Sequence, residues 1–382
     1  MIFLKKNKLR KIKIGIDARA ISDKITGIGR VVFEISQVLA KELSDADFYL
    51  YAQKGHLILP EACKESNWHV RMETCSFFKK YFSSGMWLKW RSGCFCKKDD
   101  LDIYLAFSTL APVSLSKKTK LLTVVHDLNH LYVPESMSWL LRVGFKFYMR
   151  KDLSRSDAIV SVSQGTADKI KKHFDLDVTA VIYPGVVETF LKPAILNKVK
   201  VLKKFNLARP FILSVATQEP RKNLEMLIQA FKYLANLDLD LVLVGGAGWK
   251  AKNLKNLVEE TPGVKHLGFV SDDELRILYE EACLFAFPSI YEGYGSPVGE
   301  ALSVGTPVVL NNIQELRESS QGCAYFCKDL NVGELAETLA LAVDQSNGAV
   351  LSATKNYKPV HWFDSGKAFV EVVFSVLSSS KE

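Results

Sequence analysis

The sequence predicts an α/β protein built as two doubly wound, Rossmann-like domains. Three observations carry that expectation. At 382 residues the chain is too long for one ordinary core. Short apolar runs alternate with segments of helical period throughout, the pattern of parallel sheets covered by helices on both faces. The alternation falls into two series on either side of a charged stretch at 192–205. The expected boundaries are 1–190 for the first domain, 191–360 for the second, and 361–382 for a terminal helix.

The first series opens with a strand at Lys13 to Ile16. A loop, DARAISDKITGIGR, leads to a helix over roughly 31–43. Apolar runs at 48–52, 102–106, 121–125, 158–162 and 180–182 predict further strands, and Pro184-Gly185 ends the last with a turn. The second series predicts strands at 211–215, 239–244, 266–267, 284–287 and 307–310. Its helices are expected at 224–235, 254–260, 272–282, 298–303 and 335–344, with a final one near 365–378. In such folds ligands bind at the carboxyl ends of the strands.

Bulk properties narrow the class. Hydrophobic residues make up 48% and charged residues 24%, as in globular proteins. No apolar run approaches the length of about eighteen residues that spans a bilayer. The apolar patch in MIFLKKNKLRKIK is too short for a signal peptide. A cytoplasmic location, or one peripheral on the inner face of the membrane, is therefore expected. The seven cysteines are odd in number and scattered, which predicts reduced thiols. Neither Cys94 with Cys96 nor Cys323 with Cys327 has zinc-site spacing. Residues 1–190 carry 30 Lys and Arg against 20 Asp and Glu, whereas the remainder carries 20 against 22. The basic excess thus belongs to the first half and points it toward an anionic partner.

Four places could carry chemistry. After the strand at 284–287 comes YEGYGSPVGEA, residues 291–301. Ser296 is suited to cap a helix and Pro297 to be its first residue. Gly293 and Gly295 would let backbone approach a ligand, and the helix start would attract an anion. Glu292 in the loop and Glu300 in the first turn could bind hydroxyls. The second place is TQEPRKNL, 217–224, where Arg221 and Lys222 follow a strand and precede a helix. Cations there oppose the helix dipole, so an anion is needed to account for them. The third is Gly27-Ile28-Gly29-Arg30, which follows the first strand but lacks G-x-G-x-x-G, since position 32 is Val32. The fourth is His126, at the end of the strand 121–125. The GGAG run at 245–248 also fails the dinucleotide pattern. Four D-x-D pairs (45–47, 100–102, 175–177 and 238–240) do not clearly follow buried strands, so no metal requirement is expected.

Together these segments resemble glycosyltransferase family 4. Glu292 and Glu300 stand as its E-x7-E motif, the match runs on through EALSVGTPVV, and Arg221-Lys222-Asn223 stands at its R-K-N. The resemblance implies a GT-B fold, two Rossmann-like domains facing a central cleft, with the terminal helix crossing back to the first domain. It implies a retaining glycosyltransferase with a nucleoside diphosphate sugar as donor. Arg221 and Lys222 would hold the diphosphate. Glu292, Gly293, Tyr294, Gly295, Ser296 and Pro297 would line the sugar and phosphates, and Glu300 would hold the ribose. Gly27 and Gly29 would face the phosphates, and His126 would contact the sugar or help the leaving group. GDP-mannose is the preferred donor, by likeness to bacterial mannosyltransferases of surface polysaccharide; UDP- or dTDP-sugars stay open. Ser296 and Gly299 replace the usual large apolar residues and could reshape the sugar pocket. A glycan or lipid-linked saccharide is the expected acceptor. A sugar-nucleotide epimerase or phosphorylase, or a non-catalytic nucleotide-sugar-binding subunit, remain as alternatives.

One further pattern concerns the first half. Residues 77–98, FFKKYFSSGMWLKWRSGCFCKK, interleave aromatic and basic residues without one acid, and 140–150, LLRVGFKFYMR, is similar. Such segments suit an anionic membrane surface. Aromatic and basic residues also suit nucleic acid, but that partner is not expected. Helices that bury their aromatics are the competing reading.

Overall fold

A computed structural model describes residues 10–21, 25, 27–137, 139–246, 248, 252–344 and 354–379. The start of the basic N-terminal segment (1–9), positions 22–24 and 26 of the loop after the first strand, Ala247 of the 245–248 run, and the side chains of Leu140 and Leu141 lie outside the described residues.

Contacts divide the chain into two units. One comprises Met1–His126, Trp139–Pro184 and Trp362–Glu382; the other comprises Asp127–Ser138 and Gly185–His361. The first unit holds β1 (Lys13–Asp17), β2 (Asp47–Ala52), β3 (Trp68–Met72), β4 (Ile103–Ala106), β5 (Lys120–Val125), β6 (Ala158–Ser161) and β7 (Ala180–Val181). They form one sheet in the order β3-β2-β1-β4-β5-β6-β7, all pairs parallel. The second unit holds β8 (Phe211–Val215), β9 (Asp240–Val244), β10 (Val264–Gly268), β11 (Leu284–Phe287), β12 (Val308–Asn311) and β13 (Tyr325–Cys327). Its order is β10-β9-β8-β11-β12-β13, again parallel. The central strands are continuous apolar runs because helices cover both of their faces. The strands at 68–72 and 325–327 were not expected. Both are edge strands, only partly buried, so no such run marks them.

The second unit begins at Gly185 rather than 191. Val186 donates its N–H to Val360 O, and Phe190 is buried in that unit's core against Tyr279. The helix Trp362–Ser378 belongs to the first unit. Gly366 is what lets it meet the helix Gly27–Glu42: a Cβ there would lie 2.4 Å from Val38 Cγ2. Phe369 stacks on Phe107 at 5.4 Å, and Ser365 Oγ donates to Tyr183 O at 2.7 Å.

The 77–98 segment folds as a helix, Ser76–Tyr81, a wide helical turn, Trp87–Arg91, and a second helix, Ser92–Asp99. Part of it faces inward, as the competing reading of buried aromatics expects. Trp87 is fully buried and donates its indole N–H to Glu73 Oε2 at 2.9 Å. Lys89 is buried too and donates to Asp152 at 2.6 Å and to Ala111 O at 2.8 Å. Leu88 and Cys96 are likewise internal. Among the described residues, no helix is long and apolar enough to cross a membrane.

Candidate active site

In the second unit β8 and β11 are neighbours and run parallel, so the loops at their carboxyl ends emerge side by side. The β8 loop ends in a tight turn, Pro220–Lys222, and Asn223 takes a left-handed conformation (φ 57°) before the helix Leu224–Phe231. The β11 loop carries Glu292. Backbone joins the two loops, since Ile290 N–H donates to Arg221 O at 2.8 Å.

This adjacency makes a compact ionic cluster. Lys222 Nζ donates to Glu292 Oε1 at 2.5 Å and Arg221 donates to Glu292 Oε2 at 3.1 Å. Arg221 also donates to Glu219 at 2.8 Å and to Tyr291 O at 3.3 Å. Lys222 Nζ lies 4.9 Å from the centre of the Phe287 ring, a cation–π contact. Both Glu292 and Lys222 are buried. Burial by itself would raise the Glu292 carboxyl, but Lys222 and Arg221 hold it below the usual carboxylate range. Burial would lower the Arg221 guanidinium; Glu292, then Glu219, reverse that and raise it. For Lys222, burial wins over Glu292 and its ammonium is lowered, with Arg221 adding like-charge repulsion. The cations thus already meet an anion within the chain, Glu292.

The helix that follows is Ser296–Val304. Ser296 is its first residue rather than its cap. The cap is Gly295, at φ 95°, with Pro297 second. The left-handed backbone explains the shift, because glycine adopts it without strain. A Cβ on Gly295 would also lie 2.6 Å from Leu316 Cδ2. Gly293 and the buried Tyr294 complete the loop. Glu300 lies in the second helical turn, not the first, and accepts from Tyr279 Oη at 3.1 Å. Gly299 does not face open space: a Cβ there would meet Tyr357 Oη at 2.7 Å and Val186 Cγ2 at 3.4 Å. Its small size makes room for Tyr357, which corrects the view of Gly299 as a lining of the sugar pocket.

The segment Asp127–Ser138 joins this unit through Tyr291. Tyr291 Oη accepts the Leu128 N–H at 2.7 Å, and its ring stacks on Tyr132 at 5.2 Å. The Asp127 carboxylate accepts from Asn129 N–H and Nδ2. Burial raises Asp127, with Arg221 and Lys222 opposing and Glu292 adding to the rise.

His126, Gly27 and Gly29 belong to the first unit. His126 Nε2 lies 2.8 Å from Phe107 O, and a carbonyl can only accept, so Nε2 carries the proton and Nδ1 is the acceptor. Burial pushes the imidazole down to about 4, which keeps it neutral at pH 7. Gly27 opens the helix Gly27–Glu42 at φ 37°. Gly29 is there for packing, since a Cβ would lie 2.2 Å from Ala20 O.

Sequence reasoning missed a network at the end of β1. The buried Asp17 takes two bonds from Arg19 at 2.8 Å and a short one from the Ser108 hydroxyl; Arg19 also donates to Ser84 O at 2.8 Å. The D-A-R triplet after the first strand was the available signal. Tyr291 had none, because its contacts depend on the fold. Each D-x-D pair meets a cation: Asp47 with Lys11, Asp100 and Asp102 with Arg10, Asp175 and Asp177 with Lys171, and Asp238 and Asp240 with Arg209. Among the described residues, no group of three His, Cys, Asp or Glu is placed to hold a metal ion.

Residues 198–357 match the family model for glycosyl transferases group 1, and residues 25–190 match that for glycosyltransferase family 4. O-antigen chain mannosyltransferase B of Escherichia coli is 33% identical over 184 residues, 45% of this chain and 48% of that protein. The match therefore spans about half of that relative's length. O-antigen chain mannosyltransferase RfbU of Salmonella typhimurium is 29% identical over 252 residues, 64% of this chain and 67% of that one. Anabaena HepE, solved in complex with UDP-glucose, superimposes with a TM-score of 0.69 at 17% identity, covering 95% of this chain and all of that one, a likeness of fold. With two parallel Rossmann-like sheets and a family match on each half, the chain belongs to the family 4 group of GT-B glycosyltransferases.

Proposed function

We propose that this protein moves a hexose from a nucleoside diphosphate sugar to a glycan or lipid-linked saccharide with retention of configuration, in the synthesis of a bacterial surface polysaccharide. The observation that carries the reading is the Arg221–Lys222–Glu292 cluster at the joined ends of β8 and β11. An arriving diphosphate offers the two cations a second anion, and the N–H groups at the helix start Ser296–Val304 add a positive pole. Charge that develops on the departing diphosphate is then stabilised by groups already in place. Two side-chain cations do this without a metal ion. Glu292, freed from part of its pairing, accepts from a sugar hydroxyl, and Glu300 from the ribose. By family resemblance His126 contacts the donor sugar or helps the leaving group. The diphosphate itself takes the acceptor's proton, which accounts for a mechanism with no nucleophilic side chain.

GDP-mannose is the proposed donor and the cytoplasm the proposed location. Support for mannose comes from the two mannosyltransferase relatives; the seven free cysteines suit a reducing compartment. The test is a thermal-shift screen with GDP-mannose and UDP- and dTDP-sugars, followed by transfer to an oligosaccharide acceptor. A shift with GDP-mannose alone and a lengthened acceptor are expected. Acceptor-independent release of sugar phosphate, or an epimerised nucleotide sugar, would overturn the transferase assignment.

A further inference from the structure

The first unit carries an exposed face that the proposed chemistry does not use. On the helix Trp139–Ser154, Trp139 (72% exposed), Val143 and Phe147 (78% exposed) recur every four residues. Arg142, Lys146 and Arg150 recur at the same interval and are exposed as well. Residues four apart share one side of a helix, so an apolar stripe about 12 Å long runs beside a basic one. Toward the carboxyl end of the helix Met149, Asp152 and Leu153 are buried.

A second element continues this face. Trp90 is exposed and meets Tyr148 edge-on at 6.4 Å; beneath it Lys89 is fixed by Asp152 and lies 4.5 Å from the Tyr148 ring centre. Arg91 lies over Phe78, which joins the turn Trp87–Arg91 to the helix Ser76–Tyr81 and its exposed Phe77 and Tyr81. Lys79, Lys80, Lys97 and Lys98 are exposed around them. Over 76–98 and 139–151 there is no acidic residue at all. Of the flanking carboxylates, Glu73, Asp99 and Asp152 are buried and committed to Arg91, Arg71 and Lys89, while the exposed Asp100 pairs with Arg10 and the exposed Glu135 precedes Trp139.

We infer that this face is a docking surface for an anionic lipid bilayer, with Trp139, Phe147 and Trp90 entering the interface and the basic stripe meeting lipid phosphates. Charge complementarity selects this occupant. A second copy of the chain would set these seven exposed cations against the same seven, with no acid among them to pair. A bilayer supplies apolar depth and negative headgroups together. The inference rests on the proposed function only in that a lipid-linked acceptor would be met at such a surface.

The test is co-sedimentation of the full chain with vesicles of phosphatidylcholine alone and of phosphatidylcholine mixed with phosphatidylglycerol. Binding to the mixed vesicles only, weakened by salt, with a blue shift of tryptophan emission, is expected. Trp139→Ser with Phe147→Ser, and separately Lys146→Glu with Arg150→Glu, each lower the partition coefficient about tenfold or more. Both variants change exposed side chains, so their melting temperatures and nucleotide-induced thermal shifts stay as in the parent protein. Unchanged vesicle binding by both variants, or no preference for the anionic vesicles, overturns the surface. So does a dimer in solution that the variants dissociate. Loss of the nucleotide shift in the parent protein would instead strike at the proposed function and leave the vesicle result standing.

Discussion

Exchanging Glu292 for Gln and Lys222 for Ala should move nucleotide binding in opposite directions. Glu292 is the shared partner of two cations, at 2.5 Å and 3.1 Å, and it is buried. Removing one member of a buried pair costs about 3–5 kcal/mol. Arg221 keeps Glu219 at 2.8 Å, so Glu292→Gln belongs at the low end, about 3 kcal/mol. At roughly 2–4 °C per kcal/mol, the ligand-free melting temperature falls by about 6–12 °C. A diphosphate, however, then meets two cations with no competing carboxylate. Affinity for the free nucleoside diphosphate should rise, while transfer falls about a hundredfold because the sugar loses its positioning group. Lys222→Ala removes a charge-assisted bond to the diphosphate, worth about 1.5–3 kcal/mol, so affinity drops about 10- to 100-fold. Calorimetric titration of both variants, with whichever nucleoside diphosphate stabilises the parent protein, makes the comparison. Loss of affinity in both, or in neither, would show that the cluster is a structural ion pair and not a diphosphate site.

Three other outcomes follow from single positions. His126 sits at about 4 in the folded chain against an ordinary value near 6.5, so below that ordinary value the unfolded chain takes the proton first. The stability this confers is present above pH ~6.5 and is lost as pH falls toward about 4, to at most about 3 kcal/mol; denaturation midpoints of His126→Gln should be flatter across that window, and an unchanged slope would count against it. Gly295→Ala forces a methyl onto Leu316 at φ 95° and should cost about 1–3 kcal/mol and weaken nucleotide binding, read as a lower melting temperature and a smaller ligand shift. Gly299→Leu collides with Tyr357 and should destabilise by about 1–3 kcal/mol while leaving preference among donor sugars unchanged, and a switch in that preference would restore Gly299 to the sugar pocket.

What the sequence revealed and concealed divides along a physical line. The runs at 211–215 and 284–287 were legible because a strand covered on both faces must be apolar throughout, whereas 68–72 carries Arg71 on an edge where no such demand applies. In the site, Arg221, Lys222 and Glu292 were each legible as charged residues just past a strand. Their mutual pairing was not, because it comes from β8 and β11 being neighbours, and 70 residues separate Lys222 from Glu292. Two cations beside a helix start need an anion, and here one is resident in the chain, Glu292. A resident carboxylate does more than satisfy the cations. In the proposed function it makes the diphosphate compete for Arg221 and Lys222, so binding a donor and releasing Glu292 toward the sugar would become one event. Two isolated cations would bind phosphate more tightly and position nothing. On that proposal Glu292 exchanges some of that affinity for orientation, which is why its removal should strengthen nucleotide binding and impair transfer.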